Sequence, residues 1–299
     1  MTTITGQGTD DHVGGAPRAT GGARPDPAQV YALGADQDET ARLQRQSDEL
    51  RPEAEALLAR IGLRPGDAAI DLGCGPSGIL GLLSAAVAPG GRVVGLDADP
   101  AHVTAAAAAA GRSGLGNVKV IRGDARHTGL PAASFDLVHA RTLLVTIPEP
   151  AEVLAEMVRL ARPGGRVAGQ EPDVEHALCY PPLSAWDRLR EIFRAAATRA
   201  GADLNIGRRL AEMYRQAGLV DVQVQVHASA YPVGHSRRTV IPDLVRSLRP
   251  VIAEHGVAGD AELDRVDLAV RRHLARPDTL MMPHLLVAAW GRKPEREDA

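Results

Sequence analysis

Several protein classes depend on residues that this sequence has little of. Aromatic side chains make up 3% of the 299 positions, leaving few rings to stack on bases. Basic charge is not in surplus: the formal net charge is −3, so there is no field to draw in a polyanion, and nucleic acid is not an expected partner. Cys74 and Cys179 are the only cysteines, too few for a disulfide framework at this length; they read as reduced and the chain as cytoplasmic. Apolar runs reach about 5–10 residues, against the ~20 that span a bilayer, and residues 1–28 lack the apolar segment of a secretion signal. No membrane partner and no metal site are expected.

What is present is enough apolar residue, 44%, to bury one large α/β domain, alone or with a small accessory part. Residues 1–28 (Gly, Thr, Asp and Ala rich, without periodicity) read as a disordered tail. Residues 29–62 read as an N-terminal helical lid, with helices in DQDETARLQRQSDEL, starting near Asp36, and in RPEAEALLARIGL, where Pro52 suits a helix start. Over residues 63–172 short apolar runs (AAIDL, VVGLD, VKVI, FDLVHA, RVAGQ) alternate with helical segments, which predicts a parallel sheet covered by helices on both faces. Residues 173–292 add helices at 183–200 and 207–217, a strand in VDVQVQVHA, a helical cap over 239–275 with breaks at Pro242 and Pro250, and a last strand in MMPHLLVAAWG. Residues 293–299 form a short tail.

The first strand runs into a glycine-rich turn, AIDLGCGPSG, in which Gly73, Gly75 and Gly78 fit G-x-G-x-x-G. Such a turn brings backbone close to a ligand, and the spacing alone serves a dinucleotide as well as S-adenosylmethionine (SAM). Asp71, two residues before the first glycine, would oppose a pyrophosphate and suits a cationic sulfonium and ammonium group. Asp97 closes the second strand where a ribose acid is needed, and Asp124, in GDA after the third strand, is placed to accept from an adenine amino group.

DLGCG, GLDADP, GDA, SFDLVHAR and LARPGG, in this order, closely resemble the class I SAM-dependent methyltransferase family over roughly residues 65–172. The resemblance implies a Rossmann-like seven-stranded sheet of order 3-2-1-4-5-7-6 with strand 7 antiparallel. It also implies that Gly73, Cys74 and Gly75 cradle the methionine part of SAM (the Cys74 side chain a small filler), that Asp97 holds the ribose and Asp124 the adenine, that Ala98 and Ala125 flank the adenine, and that the backbone near Ala140 faces the methionine. The loop departs from the family's common GxGxG spacing by one residue, with Pro76 and Ser77 before Gly78.

Ligands in open α/β sheets sit beyond the carboxyl ends of the strands, which makes His139, Arg141 and Glu171 candidates, followed by His176 and Tyr180. His176 and Glu171 are the favoured general bases, with His139 behind them, and Arg141 is a candidate to fix a carboxylate or phenolate. The segment YALGADQDETARLQRQ resembles the lid of a small-molecule methyltransferase subgroup, which implies Tyr31 and Gln46 near the cofactor; DLNIGRRL resembles the same subgroup and implies Arg209 near the substrate. His284 is placed to line the cap, while Met281 and Met282 read as its core. The expected function is methyl transfer from SAM to a small organic molecule of specialised metabolism, on oxygen, nitrogen or carbon. The competing reading is a SAM-binding enzyme of the same fold that performs a non-methylating reaction such as cyclisation or decarboxylation. The sequence leaves the oligomeric state open; a homodimer formed by exchange of the N-terminal helices is one assembly it allows.

Overall fold

The computed structural model describes residues 37–295. Tyr31, the 1–28 tail and most of the C-terminal tail lie outside them. At the middle of the sheet β1 (Ala68–Leu72) runs parallel to β2 (Arg92–Asp97) on one side and β4 (Phe135–Arg141) on the other. All five β1 residues are buried, which is why AAIDL reads as a continuous apolar run: a strand covered on both faces has no side to offer water. β3 (Val118–Arg122) continues the parallel sheet beyond β2, and β5 (Ala161–Asp173) continues it beyond β4. β9 (Leu285–Arg292) pairs antiparallel with both β5 and β7 (Val220–Ala228), giving the order β3-β2-β1-β4-β5-β9-β7. Counted over the sheet strands alone this is 3-2-1-4-5-7-6 with the last strand antiparallel, the expected topology.

Helices fill both faces. On one, α2 (Arg51–Ile61), α3 (Leu80–Val87) and α4 (Pro100–Arg112) bring Leu57, Leu83 and Ala106 into one layer with Ala69, Leu137 and Trp290. On the other, α5 (Pro150–Leu160) and α7 (Leu210–Gln216) pack Met157, Leu160 and Tyr214 with Ile70, Leu72 and Val138. Adjacent strand residues such as Ala69 and Ile70 go to opposite layers because Cβ atoms alternate along a strand. The alanine run of α4 lets that helix sit close to the sheet, with Ala106 and Ala110 buried, and its N-cap Asp99 accepts the Ala101 N–H at 2.7 Å.

A third cluster forms a cap at the carboxyl end of the sheet. It joins α6 (Ser184–Arg199), α8 (Val240–Ser247), α9 (Arg249–Glu254) and α10 (Asp260–Leu274) to a two-stranded ribbon, β6 (Leu178–Tyr180) with β8 (Leu280–Met282). Trp186, Phe193, Ile241 and Met281 lie in its core. Two expectations for this region are corrected. MMPHLLVAAWG is two strands, because Pro283, which has no N–H to donate, separates β8 from β9. Pro242 interrupts nothing: it lies in the first turn of α8, where a missing N–H leaves no intrahelical bond unmade. No helix among the described residues is long and apolar enough to cross a membrane.

Candidate functional site

Beyond the strand ends lie two adjoining cavities, each about 920 Å³ with its open mouth included. The first is built by the turns after β1, β2 and β3. Gly73, Gly75, Asp97, Ala98, Asp124 and Ala125 line it, which brings together six of the residues named from the sequence for the cofactor. Asp99, Arg126 and Arg141 also line it. The second lies between the sheet and the cap and is mainly apolar, walled by residues such as Phe193, Ile241, Leu244 and Leu248, with Arg42, Gln46, Arg237 and His284 among its polar members. Leu43, Thr142 and Thr146 belong to both and mark the junction.

The first cavity depends on carboxylates that hold its backbone in place. Asp97 Oδ2 accepts the Gly75 N–H at 2.7 Å and Oδ1 accepts the Asp99 N–H at 3.0 Å, fixing the β1 turn to the end of β2. A Cβ on Gly75, whose φ is +57°, would have no neighbour within 4 Å, so the backbone there faces open space. Gly78 serves packing instead: its φ is +50°, and a Cβ there would collide with Asp71 Oδ2 and sit 2.8 Å from the Cys74 carbonyl.

Asp71 therefore lies behind the turn, only 2% exposed, and does not face the cavity. Its Oδ2 accepts the Ile79 N–H at 3.2 Å, and its Oδ1 lies 2.7 Å from His139 Nδ1. The pair is a consequence of register, since Asp71 on β1 stands opposite His139 on β4. His139 is fully buried and lines neither cavity. Cys74 is a filler: its sulfur would lie 3.1 Å from a Cβ on Gly95, and burial, then the charges of Asp71 and Asp97, push its thiol up. Ala140 is fully buried in the core.

Asp124 lines the cavity, but its carboxylate already holds Arg126, whose Nε and Nη2 reach it at 3.1 and 2.9 Å. Partial burial raises the Asp124 carboxyl, and the Arg126 hydrogen bonds outweigh this and keep it below the usual range. Arg126 was not singled out from the sequence; its place two residues after Asp124 is the available signal.

Glu171 departs most from its expected role. It is fully buried, lines neither cavity, and uses its carboxylate as a clamp, accepting N–H groups of Leu143 (3.0 Å), Leu144 (2.9 Å) and Val145 (3.2 Å). Burial pushes its carboxyl up to about 8, against the pull of those three donors. The clamp holds the junction loop, where Thr142 takes a left-handed conformation, φ +50°, unusual for a β-branched residue. Backbone held in this way costs about 1–3 kcal/mol and is characteristic of ligand sites.

Arg141 ties the lid helix α1 (Gln37–Glu49) to the sheet by donating to Ser47 Oγ at 2.8 Å and to the Leu50 carbonyl at 3.3 Å. Gln46 lines the second cavity and reaches Thr142 Oγ1 at 3.5 Å. His284 lines it as well, its Nε2 lying 2.8 Å from Arg237 Nη2; burial, then the Arg237 charge, push the imidazole down to about 3. His176 and Tyr180 are exposed on the β6 side, and Arg209 pairs with Asp203 at 2.7 Å; none of the three lines either cavity.

Residues 63–218 match the methyltransferase domain family. The chain is 42% identical over 117 residues to the nocamycin O-methyltransferase of Saccharothrix syringae, covering 39% of this chain and 42% of that protein. It is 33% identical over 217 residues to a trans-aconitate 2-methyltransferase of Methylobacterium radiotolerans, covering 69% and 78%. It spans about half the length, or less, of the first curated relatives it matches. In fold it is similar to phosphoethanolamine N-methyltransferase 2 of Haemonchus contortus, with a TM-score of 0.53 at 19% identity over 80% of this chain and 52% of that one. A family match over more than half of the chain, on a sheet of this topology, settles the assignment: the chain belongs to the class I SAM-dependent methyltransferase family.

Proposed function

We propose that the chain binds SAM in the first cavity and directs its methyl group into the second, where a small organic acceptor receives it. The observation that carries this reading is the junction at Leu43, Thr142 and Thr146, shared by an acid-lined cavity and an apolar one. The first cavity suits the cofactor in charge and in shape. Asp97 and Asp99 line it with no arginine paired to them among the described residues, a favourable setting for a positive sulfonium, and the open face of Gly75 leaves room for a ligand against the backbone. Asp97 would take the ribose hydroxyls, and Ala98 and Ala125 would lie against the adenine. SAM supplies an electrophilic methyl group on a positively charged sulfur. In the transfer an acceptor lone pair forms a bond to the methyl carbon as the carbon–sulfur bond breaks, and the bonding pair neutralises the sulfur.

The chain contributes alignment and exclusion of water. The Glu171 clamp fixes the junction loop, Arg141 holds α1 against the sheet, and the cap closes over the acceptor. A base is not supplied by His139 or Glu171, which are buried away from both cavities, nor by exposed His176. Nor is it supplied by His284, which stays neutral with Nε2 occupied by Arg237. The similarity to the nocamycin O-methyltransferase supports oxygen as the accepting atom and specialised metabolism as the setting. Incubation with methyl-labelled SAM and a panel of small hydroxylated and carboxylated compounds tests the proposal. Label transferred to at least one compound, with release of S-adenosylhomocysteine, is the expected result; absence of affinity for SAM and S-adenosylhomocysteine would overturn it.

A further inference from the structure

Two consecutive arginines precede α8 in a short 3-10 turn, Ser236–Thr239, and both are 3% exposed. Their surroundings differ completely. Arg238 is saturated by backbone: Nε donates to the Leu274 carbonyl at 2.9 Å, Nη1 to Tyr231 at 2.7 Å and Nη2 to Thr279 at 2.9 Å. It staples the cap together. Arg237 faces the second cavity, and its Nε has no partner. Its Nη2 rests on His284, and Tyr231 is its other polar neighbour. No carboxylate among the described residues forms an ion pair with it; Glu49, whose charge it feels, accepts the Ser236 hydroxyl instead.

A buried charge without a counter-ion costs several kcal/mol, and structures keep one where a partner arrives from outside. The rest of the lining points the same way. Among the described residues no Asp or Glu lines the second cavity, whereas three acids line the first beside Arg126 and Arg141. His284 is neutral, so it accepts from the guanidinium without adding a competing positive charge. The remaining wall near Arg237 is apolar, from Val240, Ile241, Leu244 and Phe193.

We propose that Arg237 recognises the acceptor, and that the acceptor is a small apolar molecule bearing a carboxylate, its charged end on the guanidinium and its body against the α6 and α8 side chains. A carboxylate matches the planar N–H fork of arginine and supplies the missing partner of Nε. This rests on the second cavity being the acceptor site. The assignment makes Arg237 a specificity-determining residue, distinct from the structural Arg238 beside it.

The test is calorimetric titration of octanoate, octanol and octylamine into protein saturated with S-adenosylhomocysteine. Octanoate binds roughly tenfold or more tighter than octanol, and octylamine weaker still. In Arg237→Met the octanoate preference disappears while affinities for octanol and S-adenosylhomocysteine stay within about twofold, and Arg237→Lys keeps part of the preference. Equal affinities of octanoate and octanol, failure of octanoate to bind, or a preference that survives in a folded Arg237→Met would each overturn the proposal. Should S-adenosylhomocysteine fail to bind, the functional reading falls instead, and octanoate against octanol on the protein alone still decides the role of Arg237. Should Arg237→Met fail to fold, the ranking of the three probes on the unaltered protein and on Arg237→Lys decides it.

Discussion

The two cavities share a wall yet are built on opposite plans. In the first, Asp97 and Asp124 are tied to the turns they shape, each already engaged by a backbone N–H or an arginine. In the second, the most buried charge is left with an open valence. The difference follows from origin. The first cavity is made of turns at the ends of adjacent strands, so its acids are satisfied within a turn or by the turn beside it. The second lies between the sheet and an inserted cap whose own core is apolar, so a polar group aimed into it finds few local partners. A site of the first kind presents one fixed shape, and a site of the second kind is completed by what enters it.

The largest effect that sharpens this contrast is on stability. Arg238→Met should lower the folding free energy by roughly 3 kcal/mol or more, because three carbonyls, two of them buried, lose charge-assisted donors. Arg237→Met, one residue away and equally buried, should leave stability unchanged or raise it, since it removes an uncompensated charge. Urea unfolding of both variants checks the pair; equal losses would break the distinction between staple and recognition residue.

A smaller effect concerns the first cavity. Asp97→Asn should weaken S-adenosylhomocysteine by roughly 10–100-fold, through lost charge-assisted hydrogen bonds, and leave octanoate affinity unaltered. Parallel loss of both ligands would mean that the cavities are not independent.

The Glu171 clamp should appear as pH dependence. Its carboxyl is raised to about 8 in the folded protein, from ~4.3 unfolded, so folding takes up a proton. The stability it contributes is fully present below ~4.3 and is lost as pH rises through about 8. Urea midpoints measured at intervals across that range should fall in the parent protein, and the fall should be smaller in Glu171→Gln. The smallest effect is at the junction. In Thr142→Gly, relief of roughly 1–2 kcal/mol of left-handed strain is offset by about 0.5–1 kcal/mol of backbone entropy. Thermal stability should hold or rise slightly while the transfer rate drops, and clear destabilisation would show that Thr142 is not strained.

The sheet order was legible because it is carried by motifs at strand ends, where GLDADP and GDA fall on the turns that shape the first cavity. Residue types were less informative than register. Asp71 and His139 look like chemistry at strand ends, but they stand opposite each other on adjacent strands, pair through Oδ1 and Nδ1, and line neither cavity. Glu171 looks like the rim of β5, but the strand continues to Asp173, which leaves the carboxylate inside the sheet to clamp a neighbouring loop. Arg237 carried no local signal at all: its importance arises from the contrast with Arg238, which nothing in SRRT distinguishes before the cap is folded. Tyr31, implied near the cofactor, lies outside the described residues.

A crystal structure with S-adenosylhomocysteine bound tests the central claim most directly. The account predicts the ribose on Asp97 and the sulfur at the Leu43–Thr142–Thr146 junction, facing the cavity that holds Arg237. The cofactor product lodged between the sheet and the cap, or lying in the first cavity with its sulfur turned away from that junction, would contradict it.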